Sequence, residues 1–139
     1  ASSDDIESIV EIENSTNLMP WTKAQFISSM EVGHYSTVLE HAETIIGFAI
    51  YSPIIPESHL LNIAIDPAYH RKGLGDKLLK QVILQNKAVG VKVINLEVRV
   101  SKLVAINLYK KNGFYKDAIR QDYYSKPEKE DALLMSLII

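Results

Sequence analysis

Cysteine is absent from this chain, and with it go disulfides, thiolate metal ligands and a cysteine nucleophile. That absence permits a reducing compartment, and the expectation is a cytoplasmic protein. Histidine is sparse: His34, His41, His59 and His70 share no metal-ligand spacing such as HExxH, so no metal site is expected. No apolar run approaches the roughly 18 residues that cross a bilayer. Ala1 to Glu13 is acidic rather than basic-then-apolar, so neither a membrane span nor a signal peptide is expected. Neither sign of charge dominates. The net charge of −2 leaves no global basic field to attract nucleic acid.

What is present fits an ordinary globular chain. Apolar residues make up 47% and charged residues 23% of 139 positions, which argues against disorder and for one domain over 1–139. No repeat or low-complexity tract interrupts it. Ser3, Asp4 and Asp5 predict a capped helix start, followed by Ile6, Ile9, Val10 and Ile12 at helical spacing. Thr22-Lys23-Ala24-Gln25 is a capping box opening a second helix with Phe26, Ile27 and Met30. Leu18-Met19-Pro20-Trp21 is the loop between them.

Residues 35–42 and 45–51 predict a hairpin, with a loop at Pro53 and Pro56. His59 to Asp66 predicts a third strand ended by Pro67. A glycine turn leads into a helix over about 74–88 that Gly90 closes, and Val93 to Val100 is the next strand. Leu103 to Asn112 is a helix ended by Gly113, and strands near 114–122 and 131–138 flank a polar loop from Tyr124 to Glu130. Strand, helix and strand over 59–100 form a right-handed βαβ unit, so those strands should be parallel or nearly so. The fold class is α/β with a mixed sheet.

Two local features carry chemistry. In His70-Arg71-Lys72-Gly73-Leu74-Gly75 a strand enters a two-glycine turn and a helix starts at once. A helix N-terminus offers unpaired N–H groups and a positive dipole end to an anion, while Arg71 and Lys72 add charge. No Lys-Ser/Thr follows Gly75 as in a P-loop, and no third glycine makes a dinucleotide fingerprint. The glycines alone fit equally well a tight strand-to-helix turn. The second feature is the alternation of Asn95, Glu97 and Arg99 with Ile94, Leu96, Val98 and Val100. A strand inside a βαβ unit is usually apolar on both faces. Glu97 is therefore either a base in a cleft, a solvated residue, or a partner of Arg99 or of an arginine on a helix.

Arg/Gln-x-x-Gly-x-Gly/Ala after a strand ending in Asp66-Pro67 resembles the signature of the GNAT superfamily of acyl-CoA-dependent N-acetyltransferases. The resemblance extends over Leu61-Asn62-Ile63-Ala64-Ile65-Asp66-Pro67, Leu96-Glu97-Val98-Arg99 and Ala105-Ile106-Asn107-Leu108-Tyr109 through Gly113-Phe114, in family order over 60–114. His70 stands where the family usually has Gln or Arg, and Lys102 stands where it often has an Asn that reaches the cofactor. The resemblance implies one domain with a mixed sheet of about six to seven strands around a βαβ core. It also implies acetyl-CoA as co-substrate. The backbone of Arg71, Lys72, Gly73, Leu74, Gly75 and Asp76 would hold its pyrophosphate, and main-chain groups of Ile63, Ala64 and Ile65 its pantetheine arm. Lys102 could still face a phosphate.

Within the superfamily, Met19-Pro20-Trp21-Thr22, Arg120-Gln121-Asp122-Tyr123-Tyr124 and Glu130-Asp131-Ala132 resemble segments of RimI-type ribosomal-protein-alanine acetyltransferases. This implies Glu97 as general base, Tyr109 as general acid, and Trp21, Tyr123 and Tyr124 beside the substrate. Ordinary packing is the competing reading for Tyr109 and for those three aromatics. The implied target is the N-terminal α-amine of a small-subunit ribosomal protein, with the enzyme a monomer or weak dimer that binds neither nucleic acid nor membrane. An α-amine, with pKa about 8, needs on the order of 1 kcal/mol to deprotonate at pH 7, against roughly 4–5 for lysine. The alternatives are a small amine or lysine side chain as acceptor, or a non-catalytic acyl-CoA-binding module.

Overall fold

A computed structural model describes residues 5–16, 21–31, 34–70, 72–125 and 129–139; the side chain of Met30 is not among what it describes. The elements run α1 (Ile6–Thr16), α2 (Lys23–Glu31), β1 (Tyr35–His41), β2 (Thr44–Ile54) and β3 (Glu57–Ile65), then a 3-10 turn at Pro67–Tyr69. They continue with α3 (Leu74–Ala88), β4 (Val93–Arg99), α4 (Leu103–Lys111), β5 (Tyr115–Tyr124) and β6 (Glu130–Ile138). One six-stranded sheet has the order β1-β2-β3-β4-β6-β5. It is mixed: β3 and β4 are parallel and the other neighbours antiparallel.

Sequence period explains the layers. On β2, Phe48 and Ile50 face one way and join Ile9, Ile12 and Phe26 of α1 and α2. Ala49 and Tyr51 face the other way and join Leu78, Leu79 and Val82 of α3. A strand covered on both faces needs the unbroken apolar run Ile45 to Tyr51. β4 differs, burying only Ile94, Leu96 and Val98. At about 2–5 kcal/mol per large-to-alanine change in such cores, the α3 layer anchors everything attached to it.

The predicted capping box forms: Thr22 N–H donates to Gln25 Oε1 at 2.7 Å and Gln25 N–H to Thr22 Oγ1 at 3.2 Å. Gly90 and Gly113 follow their helices with positive φ, as expected. The helix cap at Ser3 and Asp4 and the Leu18-Met19-Pro20 part of the loop lie outside the described residues.

Two boundaries differ from expectation. Pro53 is not in a loop, because β2 runs on to Ile54 and Pro53 pairs with Ser58. Pro53 lies near the strand's end, where the lost N–H costs the ladder least. Tyr124 and Glu130 lie within strands and pair across the β5–β6 ladder.

The sheet opens in its middle. The β3–β4 ladder pairs Glu57, Ser58 and His59 with Val93, Ile94 and Asn95, and stops there. Beyond it β3 follows β2, with a register shift that skips Leu61, and β4 follows β6 from Val93 to Arg99. A bulge bends its strand and re-aims side chains. The parting that sequence left open is thus placed between Leu60–Ile65 and Leu96–Arg99.

Candidate active site

The turn stands at the β3 end of this parting. Gly73 caps α3 in the left-handed region, φ 72°, with no side-chain cap. That backbone suits glycine, and a Cβ there would meet nothing within 4 Å, so the space in front of the turn is open. The first-turn amides of the 15-residue α3 have no acceptor within the helix and, with the dipole behind them, suit an anion. Gly75 serves a different purpose: a Cβ there would touch Leu108 at 3.5 Å and Ile65 at 4.0 Å. Its small size lets α3 pack against α4 and β3.

The side chains of the turn point in several directions. His70 does not extend outward; its Nε2 bonds the Ile65 carbonyl at 2.7 Å and pins the turn to the end of β3. Asp76 accepts from Lys80 and, at 2.8 Å, from Asn112 at the end of α4. Those bonds hold its carboxyl below the usual carboxylate range. Only the Asp76 main chain is therefore offered to a ligand. Lys72 lies 6.0 Å from the Tyr69 ring. Lys102 is an exposed N-cap of α4 with no capping bond from its side chain. Arg71 is outside the described residues. Ile63 packs toward α3, Ala64 toward α1 and α2, and Ile65 is buried.

On the other side of the parting, β4 carries Glu97 and Arg99 on its polar face. Glu97 does not pair with Arg99. It pairs with His59 of β3, Nε2 to Oε2, where the two strands begin to separate. Arg99 instead bonds Glu130 at 3.4 Å and lies 4.2 Å from the Tyr124 ring. Glu130 also accepts from the Ser101 N–H at 2.8 Å, and Ser101 with Arg99 holds its carboxyl low. Asp131 accepts from the Asp122 N–H at 2.9 Å, where Asp122 has φ 49° and the β5–β6 register shifts. The acidic pair thus fixes the end of β4 and the bulge that turns Tyr123 and Tyr124.

Tyr109 reaches the same cluster from α4. It is almost fully buried against Phe114, and burial pushes its phenol up to about 12, with Tyr124 adding to the shift. Tyr124 is also held at about 12, first by burial and then by Tyr123 and Glu97. Tyr124 therefore stands within electrostatic reach of both Glu97 and Tyr109. Tyr123 is partly exposed, its ring 5.0 Å from that of Tyr124.

The Trp21 ring packs on Phe26 at 5.1 Å, and the Trp21 backbone N–H donates to the buried Glu13 at 2.9 Å. Glu13 also accepts from Asn62 of β3 at 3.1 Å. The link through Glu13 ties Trp21 to the bulged strand. Residue reasoning missed His59, Glu130 as the partner of Arg99, and the Glu13–Asn62 link. His59 had a usable signal: parallel register opposite Asn95 puts it on the face of Glu97.

A sheet parted between a helix N-terminus and a strand bearing a carboxylate is a cleft that an extended ligand with an anionic end would fit. The chain belongs to the acetyltransferase (GNAT) family, whose profile matches residues 6–114, and it is an N-acetyltransferase. It is 36% identical to the [ribosomal protein bS18]-alanine N-acetyltransferase of Escherichia coli K12, the match covering 97% of this chain and 92% of that protein. The enzyme of that name from Haemophilus ducreyi is 34% identical, with 97% and 94% covered. The crystal structure of the Escherichia coli ribosomal-protein-S18-alanine N-acetyltransferase superposes with TM-score 0.94 at 35% identity, covering 100% of this chain and 90% of that one. Ard1 of Thermoplasma volcanium superposes at 0.92 with 28% identity, covering 100% and 94%. Among the described residues no helix is long and apolar enough to cross a membrane, and no cluster of metal-ligating side chains occurs.

Proposed function

We propose that this chain transfers acetyl from acetyl-CoA to the N-terminal α-amine of a ribosomal protein of the S18 type, in the cytoplasm. The observation that carries this reading is the placement of Glu97, Tyr124 and Tyr109 across the parting from an open, uncapped helix N-terminus. The turn suits a pyrophosphate: the space at Gly73 is open, the amides of Gly73 to Asp76 have no side-chain acceptor among the described residues, and Lys72 adds charge. The main chain of Ile63 to Ile65 borders the opening where an extended, amide-bearing arm would lie. When bound, the thioester supplies an activated acetyl group.

Glu97 takes the proton of the attacking amine, directly or through a water, which makes the nitrogen nucleophilic. Tyr109 keeps its proton at neutral pH and presents its O–H to the departing sulfur. A phenol near 12 is a weaker acid than an alkyl thiol at about 8.5, a gap of roughly 5 kcal/mol. The same burial raises a thiolate beside it, which narrows that gap. Trp21, Tyr123 and Tyr124 bound the side on which a peptide would enter, and Lys102 is near enough in sequence to α4 to meet a phosphate. An α-amine suits a single carboxylate base better than lysine does, because it costs about 3–4 kcal/mol less to deprotonate.

The test uses peptides with the first residues of S18 in three forms: free N-terminus, blocked N-terminus, and blocked with an internal lysine. Mass spectrometry should find acetyl only on the free α-amine. Modification of the blocked lysine peptide would overturn the α-amine assignment. Binding of acetyl-CoA without transfer to any amine would overturn the enzymatic one.

A further inference from the structure

The residue that holds Glu97 has no part in the chemistry described so far. His59 lies in β3 at the last rung of the parallel ladder, opposite Asn95, and its Nε2 bonds Glu97 Oε2 across the mouth of the parting. The side chains of His59 and Glu97 are 39% and 23% exposed, so the pair is reached by solvent but not immersed in it. A hollow of about 330 Å³ opens beside His59, lined also by His34, Ser52, Glu57, Leu61 and Asn95. Among the described residues, His59 is the fixed support of this carboxylate on its β3 side.

We infer that His59 is a positioning residue for the acetyl transfer: its Nε2–H holds one Glu97 oxygen so that the other meets the amine. This rests on Glu97 being the base. Nε2–H donates to Oε2, the carboxylate rotamer is fixed, and Oε1 receives the amine proton while the N–C bond forms and the thioester C–S bond breaks, the sulfur leaving as coenzyme A thiol.

The titratable groups around the imidazole are Glu97 from β4 and Glu57 on its own strand. His34, bonded to Ser29 at 2.6 Å, lines the hollow ahead of β1, while β2 contributes only Ser52 and Ile54 there. Tyr124 and Glu130 lie on the far side of Glu97 and Arg99, and Glu13 of α1 is bonded to Asn62. Among these, His59 alone bonds Glu97 directly in the described contacts.

The experiment compares wild type, His59→Ala and His59→Gln, with acetyl-CoA affinity measured by calorimetry to verify the fold. His59→Ala should lower kcat by about tenfold with the acetyl-CoA affinity unchanged, the scale of losing a partner that orients a reacting group. Glutamine can donate an N–H to Glu97 from the same position, so His59→Gln should recover most of that loss, with the peptide KM unchanged in all three proteins. Wild-type kcat in His59→Ala, or a kcat in His59→Gln as low as in His59→Ala, overturns the inference. Glu97→Gln run alongside separates the two readings: an active Glu97→Gln removes Glu97 as base, whereas an inactive one beside wild-type kcat in His59→Ala removes only the role of His59.

Discussion

On the β3 side of the opening, the groups offered to a ligand belong to the main chain. Two of the turn's side chains are tied down, His70 to Ile65 and Asp76 to Lys80 and Asn112. On the β4 side they are side chains that hold one another: Glu97 with His59, Arg99 with Glu130 and Tyr124, Tyr124 near Tyr109. Backbone donors are indifferent to most substitutions but sensitive to local conformation. A side-chain cluster is sensitive to each member's chemistry. Mutations on the two sides should therefore split cleanly between cofactor affinity and turnover.

The largest effect should come from Glu97→Gln, which keeps shape and removes the base: kcat/KM falls by about 10²–10⁴, with acetyl-CoA affinity retained by calorimetry. Next, Tyr109→Phe should cut kcat by tens of fold, roughly 2 kcal/mol, while sparing acetyl-CoA affinity. Loss of affinity alone would make Tyr109 a packing residue and blur the comparison. Third, Gly73→Val forces a β-branched residue to φ 72° and fills open space at the turn. Acetyl-CoA affinity should drop at least about tenfold, against a folding cost of about 1–2 kcal/mol seen in denaturant. Unchanged affinity would remove the phosphate role of the turn.

The smallest effect belongs to Asp76→Asn. The folded Asp76 carboxyl is held below its ordinary value by Lys80 and then Asn112, so its stabilisation is present above the unfolded pKa and fades as pH falls through the folded one. Thermal melts should show the variant less stable than wild type near pH 7, with the gap narrowing as pH falls below the ordinary carboxylate range. A gap that stays constant as the acid range is crossed would mean the bond to α4 acts through shape.

Periodicity and glycine placement made most of the fold legible. The two-sided apolar run of β2, the one-sided alternation of β4 and the C-terminal glycines of α3 and α4 are local rules, and they put each element where it stands. Glu97 stood out because a carboxylate in the middle of a strand breaks such a rule. What could not be read were partners distant in sequence. Glu97 meets His59 because a parallel ladder ends at Asn95, and Arg99 meets Glu130 because β6 enters between β4 and β5. Pro53 was misplaced since a proline near a strand's end looks locally like a loop.

The parting of β3 from β4 has one more consequence. A sheet normally leaves its unpaired strand edges at the rim, where they invite association with other chains. This sheet also carries two edges in its interior, walled by α3 and α4, where another protein's strand is poorly placed to dock. Hydrogen–deuterium exchange should register that vacancy: amides of 61–65 facing β4 exchange readily alone and gain protection once an extended, amide-bearing ligand lies along them. The fold turns an aggregation hazard into a socket.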